Sequence, residues 1–187
     1  MANLLAASVE GLFYQGGEAL PIVDTHLGKL PGVALDVPSL LTHTPDLYVL
    51  FMIRDPRAVL TSIHPKDRRQ FWAQPARCLA VGQSYLSWEA HERRIDVRFE
   101  DLVTQPDEVQ TYISERLALP MGRSFSTAYH YFRDTPDNIL ALGGPRPLDP
   151  SRVRPWEHSS TACHYLLSLF AQEPALAQLT HDLGYRE

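Results

Sequence analysis

The longest unbroken apolar stretch of the chain, Leu47-Tyr-Val-Leu-Phe-Met-Ile53, gives way at once to Arg54-Asp-Pro-Arg. A run of that length without polar alternation predicts a strand covered on both faces, as in parallel sheets. Asp55-Pro56 then opens a predicted helix reaching about His64, with Asp as N-cap and Pro at the first helical position. Apolar positions at helical spacing predict further helices at Met1 to about Val9, Pro38 to about Thr42, Gln70 to His91, Pro106 to Leu117, Thr161 to Phe170 and Pro174 to Leu183. Pro75 is expected to break or kink the longest of these, and Gly184 to stop the last. Ile95 to Phe99 alternates apolar and charged residues, predicting a second strand, and Leu20 to Val23 fits a short one. Gly16-Gly17 interrupts the chain early, and Gly143-Gly-Pro-Arg-Pro-Leu-Asp-Pro150 is expected to be an irregular loop. Helices and strands alternate, so the class is α/β.

Composition narrows the picture without changing it. The 187 residues fit a single domain, residues 1–187, with a real core. A formal charge of −5 excludes broad coating of nucleic acid, which needs a surplus of Lys and Arg on one face. The two cysteines, Cys78 and Cys163, have no metal-ligand spacing and are too few for a disulfide framework, so both are expected to be thiols in a reducing compartment. None of the histidines forms a metal-ligand pattern, and no metal is expected. No apolar run approaches the ~18 residues of a membrane span. The N-terminus has no basic leader region, so the expected location is the cytoplasm.

The candidate chemistry lies where the apolar run ends. In an open α/β sheet, ligands bind outside the carboxyl ends of the strands. Arg54 stands at such an end, and its forked, permanently charged guanidinium suits a phosphate. Ser62, eight residues on, is expected two turns into the helix on the same side. Competing readings are a surface pair of Arg54 with Asp55 or a neighbour, and a Ser62 hydroxyl satisfied by its own helix backbone. Arg57 is expected to be an ordinary solvated charge, and Glu100-Asp101 to cap or pin the following loop rather than act as a catalytic pair. The aromatic residues Phe71, Trp72, Tyr85 and Trp88 are expected in the core.

These residues carry a resemblance. Arg54-Asp-Pro-Arg with Ser62 resembles the 3′-phosphate-binding motif of the sulfotransferases that use 3′-phosphoadenylyl sulfate. Val97-Arg-Phe-Glu-Asp-Leu-Val-Thr-Gln-Pro106 is similar to that family's Arg-Tyr-Glu-Asp-Leu segment. Gly143-Gly-Pro-Arg-Pro-Leu and Val153-Arg-Pro-Trp156 resemble its loop over the nucleotide, and Leu183-Gly-Tyr185 its closing segment. The resemblance implies a parallel sheet flanked by helices, like that of P-loop nucleotide-binding proteins, with 3′-phosphoadenylyl sulfate as co-substrate. It implies Arg54, Ser62, Trp156 and either Arg152 or Arg154 at the nucleotide, glycine and arginine being displaced relative to the family pattern.

The family's N-terminal strand and Gly-rich phosphosulfate loop have no counterpart before residue 54. Met1-Ala-Asn-Leu-Leu-Ala-Ala-Ser resembles instead the helix that follows that loop, and Gly16-Gly-Glu18 what comes next. The expectation is a domain lacking that strand and loop, with β-edge groups left unpaired beside Leu47–Ile53 and weak or no activity of the chain alone; a true start upstream, a remnant and a partner that fills the gap are the alternatives. Sulfuryl transfer needs positioning, charge stabilisation and a base for the acceptor. By resemblance, Glu18 or His26 is the base, and Lys29 steadies the sulfate or bridging oxygen. The acceptor is a small molecule, carbohydrate or peptide carrying a hydroxyl or amine. Two other readings stay open: a non-catalytic nucleotide-binding remnant, and an unrelated kinase-like or structural α/β domain.

Overall fold

A computed structural model of the chain describes residues 37–43, 48–63, 70–131 and 146–186. Its α-helices are α1 (Val37–His43), α2 (Pro56–Leu60), α3 (Pro75–Ser87), α4 (Phe99–Thr104), α5 (Pro106–Leu117), α6 (Ser160–Gln172) and α7 (Pro174–Asp182). The strands are β1 (Val49–Ile53) and β2 (Arg94–Arg98), and short 3-10 turns occupy Phe125–Tyr131, Pro150–Arg152 and Pro155–His158. The predicted helix at the start of the chain, the strand at Leu20–Val23 and the first part of the Gly/Pro loop lie outside the described residues; among the described residues β1 has β2 on one side and no strand on the other.

β1 and β2 pair in parallel, from Val49 opposite Arg94 to Ile53 opposite Arg98. The mixed α/β class with a parallel sheet flanked by helices is therefore what the strand patterns implied. Leu50 and Met52 of β1 share a face with Ile95 and Val97 of β2, and that face packs on Leu102, Val109, Ile113 and Phe125. The opposite face is aromatic. Phe51 stacks on Tyr85 (5.2 Å) and meets Trp88 edge-on (5.1 Å), while Val49 packs with Val37 and Leu41. The charged positions of β2 are used there too: Arg94 pairs with Asp96 at 3.0 Å and lies over the Tyr85 ring, whose hydroxyl donates to Asp96. A second core joins Ala58 and Leu60 of α2 to Trp156, Ala162, Leu166 and Leu176. The close approach of α3 and α7 within it depends on Gly82, where a Cβ would sit 2.6 Å from a Leu179 methyl.

Several elements depart from expectation for local reasons. Pro75 does not kink a long helix; it starts one. Having no N–H, it suits the first helical position, and Gln74 before it is extended as a residue preceding proline should be. Residues before it run instead beside the end of the α2 segment, where Ile63 bridges Phe71 and the Trp72 amide donates to the Ser62 carbonyl at 2.7 Å. The helix expected to reach His64 ends at Leu60. The Ser62 hydroxyl takes the Ala58 carbonyl (2.7 Å), which its own amide would have used, and that amide shifts to Val59. The aromatic stripe is only partly core: Tyr85 and Trp88 pack on β1, whereas Trp72 is 58% exposed and α3 has no fully buried residue.

Candidate anion site at the end of the first strand

The junction between β1 and α2 is built by Asp55. Its carboxylate accepts from the Arg57 amide at 2.8 Å, which caps the helix. The same carboxylate grips the Arg57 guanidinium, with Nη2 at 2.8 Å and Nε at 3.1 and 3.2 Å from its oxygens. Arg57 also donates to the Arg186 carbonyl and lies over the Trp156 ring, 4.9 Å from its centre. The expectation of a solvated Arg57 is therefore corrected: its side chain is only 14% exposed, because Asp55 and Trp156 together form a slot that fits a planar cation. Asp55 in turn is the partner of Arg57, not of Arg54.

That leaves Arg54 for other work. Its guanidinium lies on the face of Phe99, 4.3 Å from the ring centre, and Nη2 donates to the Arg152 carbonyl at 2.8 Å. Nε is buried and has no partner among the described residues. A buried charged donor without an acceptor is costly, so this atom marks a place where an anion would be welcome. Burial lowers the Arg54 pKa from its ordinary value; the Glu100 carboxylate opposes that shift and the Arg152 guanidinium adds to it.

Ser62 is not where the sequence placed it. It follows the end of α2 rather than lying within it, and its hydroxyl proton is engaged by Ala58, so it must rotate to donate to an anion. Arg152 and Arg154 differ in position. Arg152 supplies the carbonyl that receives Arg54 and pairs with Asp149 at 3.6 Å, while the exposed Arg154 pairs with Glu157 at 3.1 Å. Trp156 is 6% exposed and sits in the second core against α2, so it supports the junction from beneath. Glu18, His26 and Lys29 lie outside the described residues. Among the described residues, no group of His, Cys, Asp and Glu is arranged to hold a metal ion, and no helix is long and apolar enough to cross a membrane.

Two residues contribute in ways their place in the sequence only half indicated. Glu100, in the first turn of α4, accepts from the Asp55 amide at 3.0 Å and from the Tyr185 hydroxyl at 2.9 Å. It does pin a loop, as its position after β2 suggested, but the loop is the one after β1. Phe99 supplies the platform for Arg54, and its pattern in the chain marked it only as a strand residue.

Comparison with known families decides what this junction belongs to. The family model described as the sulfotransferase family matches residues 2–123, which include α1 to α5 and both strands. The chain belongs to the sulfotransferase family. Membership connects this sulfotransferase-family chain to sulfuryl transfer in general. The match contains Arg54 and Ser62, while Arg152, Arg154, Trp156 and Tyr185 lie beyond it. Neither a curated protein nor a solved structure matches the chain at a significant level.

Proposed function

We propose that the chain holds the 3′-phosphate of 3′-phosphoadenylyl sulfate at the β1–α2 junction and serves sulfuryl transfer to a hydroxyl or amine acceptor. The observation that carries this reading is the buried, unpartnered Nε of Arg54 at the carboxyl end of a parallel strand. Arg54 is the anchor, with its ring platform and the Arg152 carbonyl fixing the fork. Arg152 adds positive potential beside it and is favoured over Arg154, whose guanidinium pairs with Glu157. Ser62 contributes its hydroxyl after exchanging Ala58 for the phosphate. Trp156 keeps Arg57, and so the start of α2, in place.

When bound, the co-substrate supplies an activated sulfuryl group. The residues of this chain then have to align an acceptor for in-line attack and take its proton. Glu18 or His26 is the proton acceptor, the imidazole being suited to it near neutral pH, and Lys29 balances negative charge on the sulfate or bridging oxygen. The whole chain, 1–187, acts as one sulfotransferase-like domain; contacts from Leu183, Tyr185 and Arg186 to the two strand ends support that reading. The free thiols Cys78 and Cys163, both packed in the second core, suit a reducing compartment such as the cytoplasm.

Calorimetric titration with adenosine 3′,5′-bisphosphate tests the site. Wild type binds, and Arg54→Ala loses about ten- to a hundredfold in affinity, the worth of a hydrogen bond to a charged group. Adenosine 5′-monophosphate, which lacks the 3′-phosphate, shows no such difference between the two proteins. Equal affinity of wild type and Arg54→Ala for the bisphosphate overturns the assignment. Transfer of labelled sulfate to a phenol, a sugar and a peptide in parallel tells a transferase from a binding remnant.

A further inference from the structure

Residues 183–186 converge on the end of β2 and on the first turns of α4 and α2, although they lie far from them in sequence and outside the matched family region. The Leu183 carbonyl accepts from Arg98 Nη2 at 2.8 Å, the Tyr185 hydroxyl donates to Glu100 Oε2 at 2.9 Å, and the Arg186 carbonyl accepts from Arg57 Nη2 at 3.1 Å. The Arg98 guanidinium also covers the Tyr185 ring at 4.8 Å. Gly184 makes the turn that permits this. Its φ of 82° is left-handed, its amide closes on His181, and the Tyr185 amide closes on Thr180, so the chain leaves α7 toward the strands. A Cβ at Gly184 would also come within 3.2 Å of Arg98 Nη2.

None of the three contacts is made to Arg54, but two of them fall on Arg98 and Glu100, which flank its platform Phe99, and the third on Arg57 in the helix that follows Arg54. Glu100 joins them: one carboxylate oxygen receives the Asp55 amide directly after Arg54, and the other receives Tyr185. Phe99, the platform under Arg54, is the residue before Glu100. We propose that Leu183–Arg186 is a strap that sets the position of Arg54 for anion binding, with Tyr185 and Glu100 as positioning residues. This rests on the assignment of Arg54 to the 3′-phosphate. The phenol is suited to the task because burial, and then the Glu100 carboxylate, keep it protonated far above its ordinary range, so it is a permanent donor. Glu100 therefore stays bridged between the strap and the junction instead of turning to Arg54 and neutralising it.

The test is calorimetry of the full chain with adenosine 3′,5′-bisphosphate, using Tyr185→Phe, Glu100→Ala and Glu100→Gln. Tyr185→Phe keeps the ring under Arg98 and removes only the donor, and affinity is expected to fall about fivefold, the scale of one partly buried hydrogen bond. Glu100→Ala is expected to cost about tenfold or more, since both bridges go. Glu100→Gln retains an acceptor for the Asp55 amide and is expected to restore binding to the wild-type level or above it, because a negative charge beside Arg54 is removed. In an Arg54→Lys background, where the fork is gone, Tyr185→Phe should have no further effect. Wild-type affinity in Tyr185→Phe and Glu100→Ala overturns the strap while leaving the phosphate site standing. So does a Tyr185→Phe penalty that persists undiminished with Lys at position 54, which would mark a loss of fold only. Failure of wild type itself to bind overturns the phosphate reading, and the strap with it. Should Glu100→Ala not fold, the Arg54 Nε–H resonance in Tyr185→Phe serves instead: it is expected to move, and an unmoved resonance overturns the proposal.

Discussion

Removing the Asp55 carboxylate should destabilise this protein through two losses at once. Asp55 is 3% exposed and performs two tasks with one group: it caps α2 through the Arg57 amide and holds the Arg57 guanidinium in a fork. Loss of an N-cap costs about 1 kcal/mol. Removing one member of a buried ion pair costs about 3–5 kcal/mol when the survivor is fully stranded. Arg57 would not be fully stranded. It keeps the Arg186 carbonyl and the face of Trp156, and its side chain is 14% exposed. The expected total for Asp55→Ala is therefore about 2–4 kcal/mol. Asp55→Asn retains the cap, since asparagine is an equally good N-cap residue, and loses the charge partner, for about 1–2 kcal/mol. Equilibrium unfolding in urea measures both, with slopes compared to verify that the same surface is exposed. Because the pair is largely buried, ~1 M salt should leave the difference between the variants nearly unchanged. A cost below about 1 kcal/mol for Asp55→Ala, or equal costs for Ala and Asn, would refute the account of a shared carboxylate.

Other expectations follow from single contacts. Gln110 is 1% exposed, with its amide nitrogen donating to the Arg123 carbonyl and its oxygen accepting from the Phe125 amide, so Gln110→Ala should cost about 2–3 kcal/mol in the same assay. Gln110→Met, of similar volume, should recover little of it, because packing is not what is lost; full recovery would show otherwise. Burial, and then the nearby charge of Asp55, push the Cys78 thiol from its ordinary 9.0 up to about 11. Unfolding frees it to ionise, so its contribution to stability is complete below about pH 9 and is lost as pH rises toward 11. Cys78→Ala should flatten the fall in urea midpoint over that window, and iodoacetamide should label the wild-type thiol slowly at pH 8; rapid labelling would contradict a partly buried, protonated thiol.

Much of the fold was legible because its signals are local. The apolar run before Arg54, the alternation before Glu100 and the Pro106 start of α5 each depend on residues within one element's length, and each element formed within a few residues of its expected bounds. Asp55-Pro56 was readable for the same reason: a cap and a fixed φ act on the next turn. What went astray was competition inside that range. Ser62 had helical spacing, but the helix ends at Leu60, and the Ser62 hydroxyl bonds the Ala58 carbonyl while its amide turns to Val59. Pro75 was a legible signal whose sense, start rather than kink, depended on the bridge formed by Phe71.

The sequence by itself determined the class, the strand that delivers Arg54 and the family to which the chain belongs. Only the tertiary structure decided what the charges do there. Arg57 and not Arg54 takes Asp55, Arg54 is left on Phe99 with a bare Nε, and Glu100 joins the junction to Tyr185 across 85 residues of chain. Spacing along a chain fixes which side chains share a helix face or a strand face. It does not fix which of several arginines wins a carboxylate. That is settled by which guanidinium finds a slot that desolvates it and still satisfies its donors, and such a slot exists only once distant elements have packed.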